Sequence, residues 1–373
     1  MGKKVLVVDD SALMRKLACD IIKKDDRYDT PETCRNGAEA LEKVKKNKYD
    51  AIVLDVYMPV MDGLEFLRQL KNEGLKERVM MFSTTTGEGT SQTIEALDLG
   101  AIDFIKKPEK YRETTGEDFA TEFLRILEVV AQTGGHHVSG SFTKKTGSGT
   151  GAGTAASAGA ASHFGAKNAG PVTLRPSVKI TGEKIVALAS STGGPKALHS
   201  VIPKLPGNLN APVILVQHMP PGFTKSLAER LDSLGEISVK EAEEGEILQK
   251  GHVYIAPGGK HMKVSKSGSN VRIYFSDEPH REGVKPCANY MYESLVDTDY
   301  AEVCCVVMTG MGMDGTEGIK NLEKRKKVHI ISQDEPTCAV YGMPKAIAQT
   351  GLVNEVLPLD KIADAIAKEI GTR

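Results

Sequence analysis

The sequence predicts two α/β domains, each built on a mainly parallel sheet, and two observations support that prediction. In both halves of the chain, short runs of Val, Ile and Leu alternate with amphipathic stretches of helical period. Uninterrupted apolar strands that alternate with helices are typical of a parallel sheet covered on both faces. The length of 373 residues also exceeds what one hydrophobic core usually serves, because a domain contains roughly 100–200 residues.

In the N-terminal half, four buried strands are predicted at KKVLVVDD, YDAIVLDVY, VMMFSTT and AIDFIKKP, with a weaker fifth near residues 30–34. Helical spacing follows Ser11, whose hydroxyl suits a helix N-cap, and it recurs over residues 38–44, 64–70 and 91–97. In the C-terminal half, the predicted strands are KIVALAS, APVILVQH, HVYIAP, EVCCVVMTG, KVHIIS and LVNEVL. Helices are predicted there over residues 195–202, 223–234, 315–326, 344–349 and 359–370. The alternation between residues 252 and 275 predicts a β-hairpin excursion.

A stretch rich in Gly, Ser, Thr and Ala separates the two halves, from Gln132 to about Thr181. It contains five basic residues and no acidic one, and it can bury too little apolar surface to offset its ordering entropy. We therefore predict domains at residues 1–130 and 182–373, joined by a flexible linker at residues 131–181. The adjacent His136 and His137 are interpreted as a solvated pair, because no other metal ligand lies near them.

The composition argues against nucleic-acid binding and against direct membrane insertion. Lys and Arg total 48 and Asp and Glu total 49, so the net charge is -1 and no concentrated cationic surface is indicated. The chain has no Trp, and no stretch reaches the roughly 18 apolar residues of a membrane helix. The six cysteines show no paired CxxC spacing, which favours reduced thiols and a cytoplasmic location.

Carboxylates and a lysine collect at the carboxyl ends of the N-terminal strands, where doubly wound sheets place functional groups. Asp9 and Asp10 end the first strand, and Asp55 ends the second buried run. Ser83 ends the third run, and Lys107 follows the fourth. Carboxylate oxygens suit Mg²⁺, and a lysine beside them suits phosphoryl transfer to a carboxylate. Taken singly, an aspartate after a strand is more often a helix cap, and a lysine before proline is usually a turn residue.

The strings VVDDS, LDVYMPVMDG, FSTT and FIKKP make residues 3–128 similar to a response-regulator receiver domain. The resemblance implies a flavodoxin-like (βα)5 fold with Asp55 as the phosphoacceptor and Mg²⁺ held by Asp9, Asp10 and Asp55. It implies that the switch residues are Ser83, Phe104 and Lys107. Phe104 is equally consistent with a core position.

The C-terminal half places a serine, a histidine and an aspartate at the ends of three separate strands. Ser191 lies in the turn SSTGGP after KIVALA, His218 ends the next strand, and Asp314 lies in MTGMGMDG. A phosphate-binding glycine turn is the alternative interpretation of SSTGGP, and each of the other two residues alone is more often structural. Together they indicate a hydrolytic triad in which the histidine takes the serine proton and the aspartate orients the imidazole. The backbone N–H of Met311 is a candidate oxyanion donor.

The strings SSTGGP, QHMPPGFT, YIAPGGKHM, MTGMGMDG and QDEPTCAVYGMPK make residues 182–371 similar to the catalytic domain of CheB-type protein-glutamate methylesterases. The resemblance implies Ser191 as nucleophile, His218 as base and Asp314 as orienting acid, with Met311 and Thr192 in support. It implies hydrolysis, without a cofactor, of glutamate methyl esters on methyl-accepting chemotaxis receptors, under phosphorylation by the chemotaxis histidine kinase. Deamidation of receptor glutamine through the same acyl-enzyme is a second implied activity.

Two positions depart from that family's pattern. Ser190 stands where alanine is usual, and the string PCAN at residues 286–289 stands where Pro-Ser-Val-Asp is common. Ser191 is favoured as the nucleophile because two glycines follow Thr192. Cys287 is not favoured as a nucleophile, because its context indicates no paired histidine.

Three hypotheses for the whole chain are open on the sequence. In the first, the unphosphorylated receiver covers the triad, and phosphorylation at Asp55 shifts the domain packing to expose it. In the second, the chain is a non-enzymatic response regulator whose second half binds a receptor or another protein. In the third, it is an esterase for small free esters.

Overall fold

A computed structural model of the chain describes residues 2–84, 87–108, 117–133, 174–178 and 180–373, with only the backbone at residues 87–88 and 117–118. The predicted linker at residues 131–181, including His136 and His137, lies for the most part outside these residues. The N-terminal elements are β1 (Val5–Val8), α1 (Ala12–Ile22), β2 (Glu32–Cys34), α2 (Gly37–Lys46), β3 (Ala51–Asp55), α3 (Gly63–Asn72), β4 (Val79–Ser83), α4 (Gly87–Leu99), β5 (Asp103–Lys106) and α5 (Glu117–Gln132).

The N-terminal strands form one parallel sheet in the order β2-β1-β3-β4-β5. Every residue of β1 and β3 is buried, because helices cover both faces of the sheet. At the start of each of the first three helices, the side chain of Ser11, Asn36 or Asp62, respectively, accepts a hydrogen bond from a backbone N–H of the first turn. The predicted flavodoxin-like (βα)5 fold is confirmed.

The C-terminal elements surround a larger sheet. They are β6 (Lys184–Ser190), α6 (Gly194–Val201), β7 (Val213–Gln217), α7 (Phe223–Asp232), β8 (Ser238–Glu241), β9 (His252–Ile255), β10 (His261–Ser267), β11 (Asn270–Ser276), α8 (Ala288–Ser294), β12 (Glu302–Val307), α9 (Thr316–Glu323), β13 (Lys327–Gln333), α10 (Met343–Ala348), β14 (Glu355–Leu357) and α11 (Leu359–Ile370).

Seven of these strands form a parallel sheet in the order β14-β13-β12-β6-β7-β9-β8. Strands β10 and β11 pair with each other, antiparallel, and form the predicted hairpin. The order places β12, β6 and β7 side by side at the centre, so residues that follow these three strands meet at one edge of the sheet. Within the described ranges, no helix combines the length and the hydropathy needed to cross a bilayer.

The two domains contact each other through α4 and β5 of the first and through α6 and α7 of the second. The ring of Phe104 stacks on that of Phe223, with 4.5 Å between the ring centroids. At the margin of this apolar contact, Thr90 Oγ1 lies 2.8 Å from Ser226 Oγ. The packing is therefore a direct structural connection between β5 and the helix that follows β7.

Candidate functional sites

Three acidic side chains and Lys107 meet at the carboxyl edge of the N-terminal sheet. Lys107 Nζ lies 2.8 Å from Asp9 Oδ2 and 2.7 Å from Asp55 Oδ2. Asp9, Asp10 and Asp55 each offer an oxygen, and these oxygens all lie within 4.8 Å of one another. Burial raises the pKa of Asp55 to about 6, and the Lys107 ammonium offsets this only in part. Three carboxylates against one ammonium form a donor set that fits a hard divalent cation bound through oxygen.

Ser83 lies at the same edge, whereas Phe104 lies within β5, and both contact other groups. The buried hydroxyl of Ser83 bonds to Thr93 Oγ1 and lies 3.5 Å from the carbonyl oxygen of Gly89, both on α4. Phe104 is 6% exposed and packs against Phe223 in the other domain. Two of the three predicted switch residues therefore contact elements that form the domain interface.

Ser191, His218 and Asp314 follow the three central strands of the C-terminal sheet. Ser190 pairs in register with Gln217 of the neighbouring strand, so the residues that follow them, Ser191 and His218, lie next to each other. His218 Nε2 lies 2.8 Å from Asp314 Oδ2. This contact leaves the second ring nitrogen, Nδ1, available to the serine. Ser191 is 8% exposed, and the side chain of His218 is 10% exposed, so both lie in a largely water-excluded position.

Several hydrogen-bond donors around Asp314 keep its side chain in the ionised form. Its oxygens accept backbone N–H groups from Ala288 at 2.6 Å, from Asn289 at 2.9 Å and from Gly315 at 2.9 Å, as well as the thiol of Cys287 at 3.1 Å. Burial raises the pKa of Asp314, but the bonds to His218 and to these donors outweigh it and lower the pKa below its ordinary value. The aspartate therefore keeps the charge that stabilises a protonated imidazole.

Cys287 serves as a donor in this arrangement. It is fully buried, and burial together with the Asp314 carboxylate raises the pKa of its thiol well above the ordinary value. A thiol that stays protonated is a poor nucleophile, because the thiolate is the reactive form. The cysteine at this departure from the usual Pro-Ser-Val-Asp string thus contributes a hydrogen bond to Asp314.

The turn that carries Ser191 is fixed by its neighbours. The Ser191 N–H donates to the carbonyl oxygen of Thr309 at 3.0 Å, and the Thr309 hydroxyl donates to that of Thr192 at 3.0 Å. Gly193 has a left-handed φ of 73°, which only glycine adopts readily. A Cβ on Gly310 would lie 2.8 Å from Ser191 Cβ, so the absence of a side chain there makes room for the nucleophile.

Met311 follows Gly310 directly and stands at the mouth of this site. The Gly310 carbonyl oxygen accepts N–H groups from Gly342 and Met343, which fixes the peptide that leads into Met311. The Met311 side chain is 39% exposed, and its Sδ lies 3.1 Å from Arg125 Nη1 of α5. The residue directly before Met311 therefore lies against Ser191, and the Met311 side chain itself contacts the other domain.

Sequence reasoning missed Asp103, which lies on β5 yet reaches the catalytic turn. Its carboxyl lies close enough to the side chain of Thr192, the residue after Ser191, for that side chain to lower its pKa. Burial raises the pKa of Asp103 to about 6, against the lowering effect of the Phe104 N–H and of Thr192. An aspartate inside a strand run carries no chemical signal in the sequence, so only the domain packing identifies it.

Comparisons with known proteins identify relatives of both halves of the chain. Residues 186–366 match the family described as CheB methylesterase, and residues 5–116 match the response regulator receiver domain. The chain is 41% identical to a protein-glutamate methylesterase/protein-glutamine glutaminase 1 of Syntrophomonas wolfei, and the match covers 98% of each chain. It is also 41% identical to a protein-glutamate methylesterase/protein-glutamine glutaminase of Geobacillus kaustophilus, with 99% of each chain covered. Among solved structures, the CheB methylesterase catalytic domain of Thermotoga maritima is 41% identical over 50% of this chain and 99% of that one, with a TM-score of 0.48.

Proposed function

This chain belongs to the family of CheB-type protein-glutamate methylesterases/protein-glutamine glutaminases, and from that premise we propose that it hydrolyses glutamate methyl esters on chemotaxis receptors. The observation that carries the proposal is the His218–Asp314 pair beside Ser191, at the ends of three adjacent strands. Methyl-accepting chemotaxis receptors would be the substrate, the chemotaxis histidine kinase the phosphodonor, and the cytoplasm the location.

The proposed reaction proceeds through an acyl-enzyme. Ser191 Oγ attacks the ester carbonyl carbon while His218 takes the serine proton, and the Met311 N–H donates to the developing oxyanion. The tetrahedral intermediate expels methanol, which receives that proton from His218. Water then attacks the acyl-enzyme with His218 again as base, which frees the glutamate and restores the serine. Asp314 holds the imidazole in one orientation throughout, and the hydrolysis needs no cofactor.

Deamidation of receptor glutamine follows from the same steps. Attack of Ser191 on a carboxamide gives the same acyl-enzyme, with ammonia leaving in place of methanol. The amide is the harder substrate because its nitrogen must be protonated as it leaves, and His218 is the group placed to supply that proton.

Phosphorylation of Asp55 is proposed to control access to the triad. Asp9, Asp10 and Asp55 would hold Mg²⁺, and the bound ion would neutralise charge on an incoming phosphoryl group. Asp103 lies near the Thr192 side chain and Arg125 contacts Met311, so in the unphosphorylated chain the receiver would cover the mouth of the site. A phosphoryl group at Asp55 that draws in the Ser83 hydroxyl would pull on α4 and weaken this packing.

The test is methanol release from membranes that carry methylated receptor, with and without a small-molecule phosphodonor. We expect slow release by the unphosphorylated chain, faster release with phosphodonor, and no stimulation of an Asp55→Asn variant. A chain that incorporates phosphate but releases no methanol would be a non-enzymatic regulator. Hydrolysis of small free esters with no release from receptor would make it a general esterase.

A further inference from the structure

The side chain of Gln217 links the two halves of the proposed catalytic pair. It is 1% exposed and lies at the end of β7, directly before His218. Its Nε2 donates to the carbonyl oxygen of Ser191 at 2.9 Å and to that of His218 at 3.1 Å. Its Oε1 accepts the hydroxyl of Ser190 at 2.7 Å. One buried amide therefore uses both of its N–H groups to hold the backbone of the serine and that of the histidine.

The space for this amide is provided by a glycine of the catalytic turn. A Cβ on Gly194 would lie 1.9 Å from Gln217 Oε1 and 2.9 Å from its Cδ. Such a contact is impossible, so the turn accepts the glutamine only because residue 194 has no side chain. The amide is enclosed on this side and hydrogen-bonded at both ends, which leaves it one orientation.

The hydroxyl of Ser190 sets which way the amide faces. A hydroxyl that donates to Oε1 keeps the oxygen on its own side and directs the NH₂ group towards the two carbonyl oxygens. In the reversed orientation the amide oxygen would face those carbonyl oxygens, and both bonds would be lost. Ser190, the residue that departs from the usual alanine, is therefore part of this arrangement.

We propose that Gln217 is a positioning residue that fixes the distance between Ser191 and His218, with Ser190 as its anchor. The inference rests on the proposed function, because proton transfer from Ser191 requires a nitrogen of His218 at roughly 2.6–3.2 Å. Gln217 contacts neither reacting atom and acts only through the backbone of both residues. A displacement of about 1 Å at such a pair lowers the rate by about 100-fold, which is the scale of the expected effect.

The first test compares Gln217→Met with a matched Gln349→Met control, both in the full chain with phosphodonor. Methionine fills the same volume without donors or acceptors, and Gln349 is an exposed residue at the end of α10. We expect kcat for methanol release to fall by about 10- to 100-fold in Gln217→Met while KM stays within about twofold, and we expect no change in the control. An unchanged kcat, or a loss seen only in KM, would overturn the proposal.

The second test separates positioning from loss of fold. Gln217→Glu keeps the shape and the acceptor for Ser190 but has no N–H donors; once protonated, its carboxyl can donate one bond to a carbonyl oxygen. The ratio of its kcat to that of the wild type should therefore rise by about 10-fold as the pH falls from 8 to 6, because burial favours the neutral acid. A ratio that is constant over this range, in a protein with wild-type circular dichroism, would contradict the proposal.

The third test is a double-mutant cycle between Ser190 and Gln217. Ser190→Ala should lower kcat by about two- to fivefold, because the amide loses one bond and its orientation is less fixed. In the Gln217→Met background, the same change should have no further effect. Equal effects in both backgrounds would show that Ser190 does not act through Gln217. A wild-type chain that releases no methanol would refute the proposed function itself, whereas an active wild type with active Gln217 variants would refute only this inference.

Discussion

Replacement of Asp314 by asparagine tests whether the charge of this carboxylate, and its hydrogen bond to His218, are needed for catalysis. In the wild type, Asp314 Oδ2 accepts from His218 Nε2 at 2.8 Å and from the Ala288 N–H at 2.6 Å. In the variant, the NH₂ group of the asparagine takes the place of Oδ2. It donates a hydrogen bond to His218 Nε2, and it faces the Ala288 N–H, so that two donors stand opposite each other. The imidazole then carries its proton on Nδ1, so it cannot accept the proton of Ser191. We expect kcat for methanol release to fall by about 10⁴-fold, while the change in KM stays small.

The same change should lower the stability of the fold by an amount that follows from the lost bonds. The asparagine oxygen can keep the donors to Oδ1, but the bond to Ala288 is lost and its N–H is left unpaired. A bond to a charged acceptor contributes about 1.5–3 kcal/mol, so we expect the free energy of unfolding to fall by about that amount. Because folding lowers the pKa of Asp314, its contribution is complete above the ordinary value of 3.8 and is lost as the pH falls below it. The stability difference between variant and wild type should therefore shrink in acid.

The assay is methanol release with phosphodonor, alongside chemical denaturation of both proteins. Asp364→Asn on α11 is the matched control, because that aspartate is exposed and distant in sequence from the site. A folded Asp314→Asn protein that releases methanol within tenfold of the wild-type rate would refute the role assigned to Asp314.

Three further predictions concern the domain contact and the Asp314 donors. Phe104→Ala removes the ring that stacks on Phe223, and such an aromatic pair contributes about 1 kcal/mol beyond its buried area. The basal rate of methanol release without phosphodonor should therefore rise about fivefold. An unchanged basal rate would argue against occlusion of the triad by the receiver. Cys287→Ser keeps a donor to Asp314 and should retain kcat within about threefold, whereas Cys287→Ala should lower it by about 10-fold, as steady-state kinetics can show. Burial raises the pKa of Asp103 to about 6, so the domain packing that buries this residue is strongest when its carboxyl is protonated and weakens as the pH rises through 6. The basal rate of methanol release by the wild type, divided by that of Asp103→Asn, should therefore rise from pH 5 to pH 7. A ratio that does not change with pH would contradict this prediction.

The parallel sheets were predictable because their strands are buried on both faces and are therefore continuously apolar. β1, β3, β6 and β12 all show this pattern and were all predicted. Strand β8 was missed because its four residues, SVKE, are only partly buried and lie at the edge of the sheet. Helix α8 was missed because it has seven residues and no side-chain cap, so no periodicity could develop.

The positions of the site residues were predictable for a different reason, since side chains at the carboxyl ends of adjacent parallel strands must meet. Ser191, His218 and Asp314 each follow a strand run, and only the order of the strands was missing from the sequence. The groups that contact them were not predictable. The backbone N–H groups that donate to Asp314 could come from almost any residue type, so the sequence does not indicate them. Gln217 acts through hydrogen bonds that depend on the register of two strands.

The contact between the two domains was the feature that could least be predicted from the sequence. Phe104 and Phe223 lie in separate motifs on either side of the linker, and neither pattern indicates that the two rings stack. The hypothesis that the receiver covers the triad came from the presence of both sites on one chain. The contact of Asp103 with Thr192 gives that hypothesis particular residues to change.

The central claim is that Ser191 is the nucleophile of a phosphorylation-controlled methylesterase, and methanol release by Ser191→Ala with Ser190 intact tests it most directly. The variant should fold as the wild type does, incorporate phosphate at Asp55, and release no methanol from methylated receptor membranes with or without phosphodonor. Release at the wild-type rate by the folded variant would contradict the account.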